Sequence, residues 1–170
     1  HGGMPRGWTV LDAGCGNGRN ILWLAEEKGS YGVGYDSSKI AIAQATKKQK
    51  ELFPSSTKPK IVFSVSPLES AIPLPDTSCD LVLDMMASHV LSEADRRTFV
   101  SEVLRVLKPG GWLFLKTFLR DEDVNAERMI KEHGIPDEPG SYMHPKLHIR
   151  EHAFYEQELL EYYSEHFTIE

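Results

Sequence analysis

The sequence predicts one α/β domain, built on a mostly parallel, doubly wound sheet with helices on both faces. Short apolar runs alternate with segments of helical periodicity along most of its 170 residues. A glycine-rich turn follows the first of these runs, and the length suits a single domain. We therefore treat residues 1–170 as one domain, with 120–152 as an insertion carried on its substrate side.

The predicted strands are short, apolar runs that end at acids, prolines or glycines. In chain order they cover 8–12, 31–35, 60–65, 80–84 and 112–118, and a sixth is expected from Phe167 onward. The predicted helices cover 20–28, a stretch capped by Ser37 or Ser38 that reaches Glu51, then 92–107 and 156–164. Trp23 and Phe99 are expected to pack inside the domain.

Charge and composition exclude several classes of protein. The chain carries 19 basic and 25 acidic side chains, a net charge of −6, which disfavours general binding to nucleic acid. No apolar run approaches the roughly 20 residues that span a bilayer, and no secretory leader is visible. Two cysteines provide no disulfide framework. We expect a cytoplasmic protein without a membrane or nucleic-acid partner, shortened at both ends.

A glycine-rich loop at 12–18 joins the first strand to the first helix. Glycine allows a tight turn there, and the helix N-terminus attracts anionic groups. A dinucleotide fingerprint requires glycine at its sixth place, where this chain has Arg19. Asp36 lies 22 residues beyond Gly14 and ends the second strand. Its two oxygens suit the two hydroxyls of a ribose, although an acid that only caps the next helix is the alternative.

Three motifs in register resemble the class I S-adenosylmethionine-dependent methyltransferases of small-molecule type. They are 10–18 with its Asp-x-Gly-x-Gly-x-Gly loop, 72–82 before the fourth strand, and 104–113 with its Lys-Pro-Gly-Gly turn. The resemblance implies a Rossmann-like fold that holds S-adenosylmethionine above the carboxyl ends of the strands. Carried over by position, the cofactor-binding residues are Asp12, Gly14, Cys15, Gly16, Gly18, Asn20, Asp36, Ser37, Ser66, Leu68, Asp84 and Met85.

The chain departs from this family after the third strand. The family often has an acid there, which accepts the adenine amino group, whereas this chain has Ser66, with Glu69 three residues further on. Either a serine oxygen or a returning Glu69 can accept that bond. We expect weaker recognition of the adenine.

The resemblance implies methyl transfer by in-line displacement, which leaves S-adenosyl-L-homocysteine. Because the sulfonium is an excellent leaving group, the protein chiefly positions the reacting atoms. We expect a small-molecule acceptor with an oxygen, nitrogen or sulfur nucleophile. His89 is the candidate base, although it can equally pack against the next helix. The candidate acceptor-binding residues are Met86, His89, Tyr142 and His144.

Two other functions stay open at this stage. A domain with this fold can bind the cofactor, or a partner, without transferring a methyl group. A nicotinamide-binding domain fits the glycine loop less well. His144, His148 and His152 recur every four residues and would share one face of a helix, but no fourth ligand accompanies them. We therefore predict no metal site.

Overall fold

The computed structural model describes residues 4–54 and 61–170. The first five strands are β1 Thr9–Ala13, β2 Tyr31–Asp36, β3 Ile61–Val65, β4 Cys79–Met85 and β5 Leu107–Lys116. The helices between them are α1 Arg19–Lys28, α2 Lys39–Leu52 and α3 Glu93–Val106, and a 3-10 turn covers Ser88–Val90. Beyond β5 come α4 Val124–His133, β6 Ser141–Met143, β7 Arg150–His152 and α5 Glu156–Tyr163.

The five long strands form one parallel sheet in the order β3-β2-β1-β4-β5. The chain moves from β1 to β2 and β3 on one side, then returns to place β4 and β5 on the other. The order of the strands in the sheet therefore reverses at β1, and the loops after β1 and β4 diverge at that point. In open α/β sheets, ligands bind in the crevice outside the carboxyl ends of the strands at this reversal. The predicted fold class is confirmed.

The core has two layers because side chains alternate between the faces of the sheet. One face packs Val10, Leu81 and Leu83 against α1. The other packs Leu11 and Val82 against α3, in a cluster that includes the buried Phe99. The prediction that Phe99 is a core residue is confirmed.

Local capping explains where the second helix begins. The Ser38 hydroxyl accepts a hydrogen bond from Ala41 N at 3.2 Å, so Ser38 is the N-cap, and Ser37 lies outside the helix. Of the third predicted strand, Lys60 lies outside the described residues, and the strand itself begins at Ile61.

The predicted turn at 108–111 is a bulge inside β5. Leu107 pairs with Cys79, but the next pair is Trp112 with Leu81, so the intervening residues loop out of the ladder. Lys108 anchors this bulge through a 2.7 Å ion pair with Asp80. The strand consequently starts at Leu107, and α3 ends at Val106 rather than at Leu107.

The spacing of His144, His148 and His152 wrongly predicted a helix. His144 follows β6, His152 ends β7, and the chain between them forms a hairpin with His148 in the left-handed region at φ 54°. Across residues 4–54 and 61–170, no group of three or more His, Cys, Asp or Glu side chains is arranged to hold a metal ion. The three histidines therefore do not lie along one face of a helix.

The sixth strand expected at Phe167 is also wrong. After α5 the chain makes a turn in which Phe167 N donates to Tyr163 O at 2.9 Å. The Phe167 ring packs against Tyr163 and the main core, so its apolar character serves packing rather than sheet pairing. In the part of the chain that the structure describes, no helix is both long and apolar enough to cross a bilayer.

Candidate functional site

The glycine loop turns sharply between β1 and α1 because Gly14, Gly16 and Gly18 all adopt positive φ angles, from 53° to 73°. The three glycines differ in what surrounds them. A Cβ on Gly14 would lie 2.5 Å from the Ala87 side chain, in the loop after β4. A Cβ on Gly18 would lie 2.8 Å from the Phe63 ring. Both positions are glycine because neighbouring elements pack directly against them.

Gly16 is the glycine with open space beside it. A Cβ built there meets no atom within 4 Å. Its N–H donates to Asp36 Oδ2 at 2.9 Å, which fixes the tip of the loop against the end of β2. A ligand can therefore approach the backbone of the loop most closely at Gly16.

The Asp36 carboxylate joins the glycine loop to the start of α2. Its Oδ1 accepts a hydrogen bond from Ser38 N at 2.8 Å, in addition to the bond from Gly16. Each carboxylate oxygen has two acceptor sites, so one on each oxygen remains available. Asp36 thus organises the start of α2, and the two free acceptor sites leave the predicted ribose role open.

Residues after β3 lie beside Asp36. Ser66 N donates to Asp36 O at 3.0 Å, which places Ser66 next to Asp36. The Leu68 side chain lies 3.8 Å from the Cβ position of Gly14. Ser37 and Glu69 are exposed. Ser66 therefore lies beside Asp36, and Leu68 lies beside Gly14 together with Ala87.

Two fully buried carboxylates flank the reversal point of the sheet. Asp12 is the penultimate residue of β1 and faces α1, and Asp84 is the penultimate residue of β4 and faces the 3-10 turn. Asp12 Oδ2 accepts from Ile21 N at 3.3 Å, whereas its Oδ1 has no partner. Asp84 Oδ1 accepts from Ala87 N and Ser88 N at 3.1 and 3.0 Å, whereas its Oδ2 has none. Unpartnered buried carboxylate oxygens are costly, and a cationic ligand would satisfy them.

Burial raises the pKa of both acids. Desolvation, with a smaller contribution from the nearby charges of Asp36 and Asp84, raises the pKa of Asp12 to about 7 against the hydrogen bond from Ile21 N. Desolvation also raises the pKa of Asp84 against the hydrogen bonds from Ser88 and Ala87. Because desolvation disfavours the charged carboxylates, a cationic ligand beside them would favour their ionised form, whereas an anionic ligand would not.

The loop after β4 contains a strained residue next to Asp84. Met86 has φ 67°, a left-handed conformation that non-glycine residues rarely adopt, and its N–H donates to Lys116 O at 2.9 Å. Such strain is concentrated at functional sites, where the surrounding structure enforces it. Met85 is half-buried and points to the α1 face of the sheet.

His89 follows in the 3-10 turn and is buried. Its ring packs edge-on against Phe118 at 5.1 Å, and its Nδ1 has no hydrogen-bond partner. Desolvation lowers the pKa of His89, so the imidazole is neutral at physiological pH and can accept a proton. The packing role and the basic role that the sequence left open are therefore compatible.

The remaining predicted cofactor residues lie at the edges of the loop. Cys15 is buried, and a Cβ added to Gly34 would come within 3.1 Å of its Sγ, so its side chain faces into the sheet. Burial raises the pKa of the Cys15 thiol to about 12. Asn20 is half-buried at the start of α1. Cys15 consequently offers its backbone, not its thiol, to a ligand.

Tyr142 and His144 are engaged inside the hairpin. Tyr142 is buried against α4, and burial together with the Glu151 carboxyl group on the paired strand raises the pKa of Tyr142. His144 Nδ1 accepts from Lys146 N and Leu147 N at 3.2 and 3.1 Å, which closes the loop of the hairpin. The structure does not bring either side chain to the glycine loop.

Sequence reasoning missed several groups near the site. Tyr35 precedes Asp36, is fully buried, and has a hydroxyl without a partner. His152 is buried between Ser141 Oγ and Glu158 Oε1, each 2.8 Å from a ring nitrogen. Tyr35 could have been found because it adjoins a predicted ligand. The His152 bridge joins three separate elements and has no local signal.

The structure corrects the prediction that Trp23 packs inside the domain. The sequence predicted a packing residue, but Trp23 is 55% exposed and lines an apolar groove with a volume of about 920 Å³. The groove lies over the α1 face of the sheet and is bordered by Trp112 and Phe114 of β5, which are also exposed. Asn20 and Met85 form its end nearest the glycine loop.

Fold and site together define a Rossmann-like domain with a crevice at the carboxyl ends of its first strands. The chain matches the family described as "Methyltransferase domain" over residues 11–115. It therefore belongs to this family of class I, S-adenosylmethionine-dependent methyltransferases, and the resemblance seen in the sequence is confirmed. The nicotinamide alternative is disfavoured accordingly.

The names of individual relatives give different methyl acceptors. The chain is 35% identical over 121 residues to the 2-methyl-6-phytyl-1,4-hydroquinone methyltransferase of Synechocystis, which covers 71% of this chain and 35% of that protein. It is 27% identical over 126 residues to the tRNA (carboxymethyluridine(34)-5-O)-methyltransferase of Macaca fascicularis, covering 74% and 17%. The chain thus spans about a third or less of the length of these two relatives.

A solved structure matches more of the chain than the family match does. The crystal structure of a SAM-dependent methyltransferase from Methanosarcina mazei superposes with a TM-score of 0.81 at 27% identity. The match covers 95% of this chain and 80% of that one. The similarity includes the segment after β5, beyond the 11–115 region that the family match covers.

Proposed function

We propose that the crevice at the ends of β1, β2 and β4 binds S-adenosylmethionine and that the domain transfers its methyl group to a small-molecule acceptor. The observation that carries this proposal is the pair of buried carboxylates, Asp12 and Asp84, each with an unpartnered oxygen beside the glycine loop. S-adenosylmethionine carries two cations, an ammonium and a sulfonium, and one carboxylate, so its net charge is positive. A pyrophosphate would instead meet three acids, because Asp36 stands close by.

Each region of the crevice takes one part of the cofactor. Asp36 accepts the ribose hydroxyls with its two free acceptor sites, and the Gly16 backbone lies against the same part of the ligand. Ser66 and Leu68 border the adenine, with Ser37 outside them. Gly14 and Gly18 shape the loop, while Cys15 contributes backbone atoms and Asn20 the start of α1. Asp12, Asp84 and Met85 surround the amino-acid end.

The cofactor, when bound, supplies an electrophilic methyl group on a good leaving group. The protein must hold the acceptor atom in line with that methyl, and positioning can supply roughly 7–11 kcal/mol of a barrier. The strained Met86 backbone fixes the loop that faces the methyl position. His89, neutral and buried, accepts a proton from a hydroxyl, thiol or ammonium acceptor.

The acceptor class rests on charge and on the relatives. A net charge of −6 disfavours a polyanionic acceptor, and one relative methylates a hydroquinone. The other named relative methylates a tRNA, which makes nucleic acid the rival acceptor class. The segment 120–152 contributes the wall on the acceptor side, since β7 packs beside the turn that carries His89.

An assay of S-adenosylhomocysteine release tests the proposal. The protein is incubated with S-adenosylmethionine and either a small-molecule extract or purified total tRNA, and S-adenosylhomocysteine is measured. We expect release with the small-molecule pool, loss of release in Asp36→Ala, and retention in Glu26→Ala, a change at an exposed position of α1. Release only with tRNA would overturn the acceptor class. Tight cofactor binding without release in either pool would indicate a binding module.

A further inference from the structure

A second cavity lies away from the glycine loop, between the start of α3, the segment after β5, and α5. Its volume is about 430 Å³, within the range that small molecules occupy. Two tyrosine rings, Tyr155 and Tyr162, line its walls together with charged side chains of both signs. None of these residues takes part in the cofactor site described above.

Arg120 is the most unusual group in this cavity. Its guanidinium stacks on the Tyr155 ring with its carbon 3.6 Å from the ring centroid. Its Nε is buried without a hydrogen-bond partner, and within 4–54 and 61–170 no carboxylate lies within ion-pair distance of it. Stacking orients the guanidinium fork but leaves its donors unused. Such a group suits the bidentate binding of a carboxylate.

The other basic group of the cavity is already paired. Arg97 Nη2 lies 2.7 Å from Glu93 Oε1, and its guanidinium carbon lies 5.2 Å from the centroid of the Tyr162 ring. Glu158, another wall residue, bonds to His152 at 2.8 Å. Neither side chain offers a free full charge to a ligand.

Glu161 is the acid that remains. It lines the same cavity, is exposed, and among the described residues its one hydrogen bond is a long 3.5 Å contact from the Gln157 amide. With the paired groups set aside, the cavity presents one unpaired guanidinium and one carboxylate without an ion pair. A ligand complementary to both carries an anionic and a cationic group.

We propose that this cavity is a binding site for a small zwitterion of amino-acid type, whose carboxylate binds Arg120 and whose ammonium binds Glu161. The tyrosine rings pack against the short aliphatic part between the two charges. A ligand with a single charge satisfies one side chain and leaves the other without an ionic partner. The site is separate from the cofactor crevice, so ligand binding does not require S-adenosylmethionine.

The experiment measures binding of matched probes by the whole protein without cofactor. The probes are butyrate, butylammonium and the ω-amino acids from β-alanine to 5-aminopentanoate, titrated while NMR amide shifts are followed. We expect at least one ω-amino acid to bind roughly tenfold more tightly than either singly charged probe, with shifts at the cavity. Equal weak binding of all probes, or shifts confined to other surfaces, would overturn the proposal.

Variants separate binding from folding. Arg120→Gln should weaken the ω-amino acid by roughly tenfold or more, Glu161→Gln by less because Glu161 is exposed, and Arg120→Lys should retain part of the affinity. Arg128→Gln, on the exposed side of α4 and bonded to Asn125, is the matched control and should bind as the wild type does. If Arg120→Gln unfolds, Arg120→Lys and Glu161→Gln still decide the outcome. Unchanged affinity in both of those variants contradicts the assignment.

Discussion

Gly16 N and Asp36 Oδ2 lie 2.9 Å apart, so the tip of the loop after β1 is hydrogen-bonded to the acid that ends β2. This bond makes one side chain responsible for both the shape of the loop and the acceptors that face it. The two adjacent strands thereby form a single binding edge, where a nucleoside can contact backbone and carboxylate together.

Removing the Asp36 carboxylate should weaken cofactor binding more than it destabilises the fold. Asp36→Ala is expected to lose roughly 1.5–3 kcal/mol of binding free energy for S-adenosylhomocysteine, the range for hydrogen bonds to a charged group. Isothermal titration calorimetry measures this change, with Glu26→Ala as the control. An affinity of Asp36→Ala equal to that of the wild type would remove the ribose assignment.

The three glycines of the loop should respond differently to alanine. Gly14→Ala and Gly18→Ala introduce a Cβ 2.5 and 2.8 Å from neighbouring side chains, so each should lower the free energy of unfolding by about 2–4 kcal/mol through overpacking and backbone strain. Gly16→Ala meets no atom and should cost only about 1–2 kcal/mol of strain.

Urea denaturation gives the unfolding free energies, and calorimetry gives cofactor affinity. Gly16→Ala should show the larger loss of affinity relative to its loss of stability. If Gly16→Ala is as unstable as Gly18→Ala, or binds the cofactor normally, the distinction between packing glycines and a ligand-facing glycine is incorrect.

Asp12 should make the protein without cofactor less stable as the pH rises. The folded-state pKa of Asp12 is about 7, whereas its ordinary value is 3.8, so the folded protein holds a proton that the unfolded chain has lost between these values. The free energy of unfolding therefore falls across roughly pH 4–7, by on the order of 4 kcal/mol from this group. Above pH 7 its contribution is constant.

Asp12→Asn provides the test, because the amide keeps the shape of the side chain and does not ionise. Its unfolding free energy should vary less with pH between 4 and 7 than that of the wild type, measured by urea denaturation at each pH. Glu26→Gln serves as the exposed control. Parallel pH profiles for the wild type and Asp12→Asn would contradict the raised pKa.

The His152 bridge should stabilise the hairpin against α5. His152→Ala leaves Ser141 Oγ and Glu158 without their 2.8 Å partner and should lower the free energy of unfolding by roughly 1–3 kcal/mol. The hydrogen bond from His152 lowers the pKa of Glu158, so this stabilisation is present above pH 4.5 and is lost as the pH falls through the lower folded-state pKa.

Thermal or urea unfolding at pH 7 and pH 3.5 measures both effects. The difference between wild type and His152→Ala should shrink at the lower pH, while His166→Ala, at an exposed position after α5, should match the wild type at both. A loss that is as large at pH 3.5 as at pH 7 would show that the ring acts by packing alone.

Buried cysteine should be chemically inert in the folded protein. Burial raises the pKa of Cys15 to about 12 and also raises that of Cys79, so at pH 8 the thiolate fraction of Cys15 is about a thousandfold below that of a free cysteine. Alkylation by iodoacetamide, followed by mass spectrometry, should modify Cys15 quickly only after denaturation. Rapid labelling of the native protein would contradict its burial.

The sheet could be predicted from the sequence because its strands are apolar runs separated by strong local signals. The glycine loop marks the boundary between β1 and α1 within a few residues. The prolines in 72–82 mark the approach to β4, and the Lys-Pro-Gly-Gly segment at 108–111 lies close to the start of β5. Asp36 and the glycine loop could be singled out for the same reason, since both lie at the carboxyl ends of strands.

The rest depends on contacts between distant parts of the chain. β6 and β7 have three residues each, too short for an alternating pattern, and the histidine spacing there imitates a helix. The apolar character of the chain at Phe167 is typical of a strand, but the Phe167 ring packs against the core and Tyr163 of α5. That Gly14 packs against Ala87 while Gly16 stays open also cannot be read locally, because Ala87 belongs to a different loop.

Calorimetric titration of the purified protein with S-adenosylhomocysteine and, separately, with NAD tests the central claim most directly. The crevice between the carboxylates of β1, β2 and β4 should bind one S-adenosylhomocysteine per chain and give no measurable heat with NAD. Saturable binding of NAD at this crevice, with none of S-adenosylhomocysteine, would contradict the account.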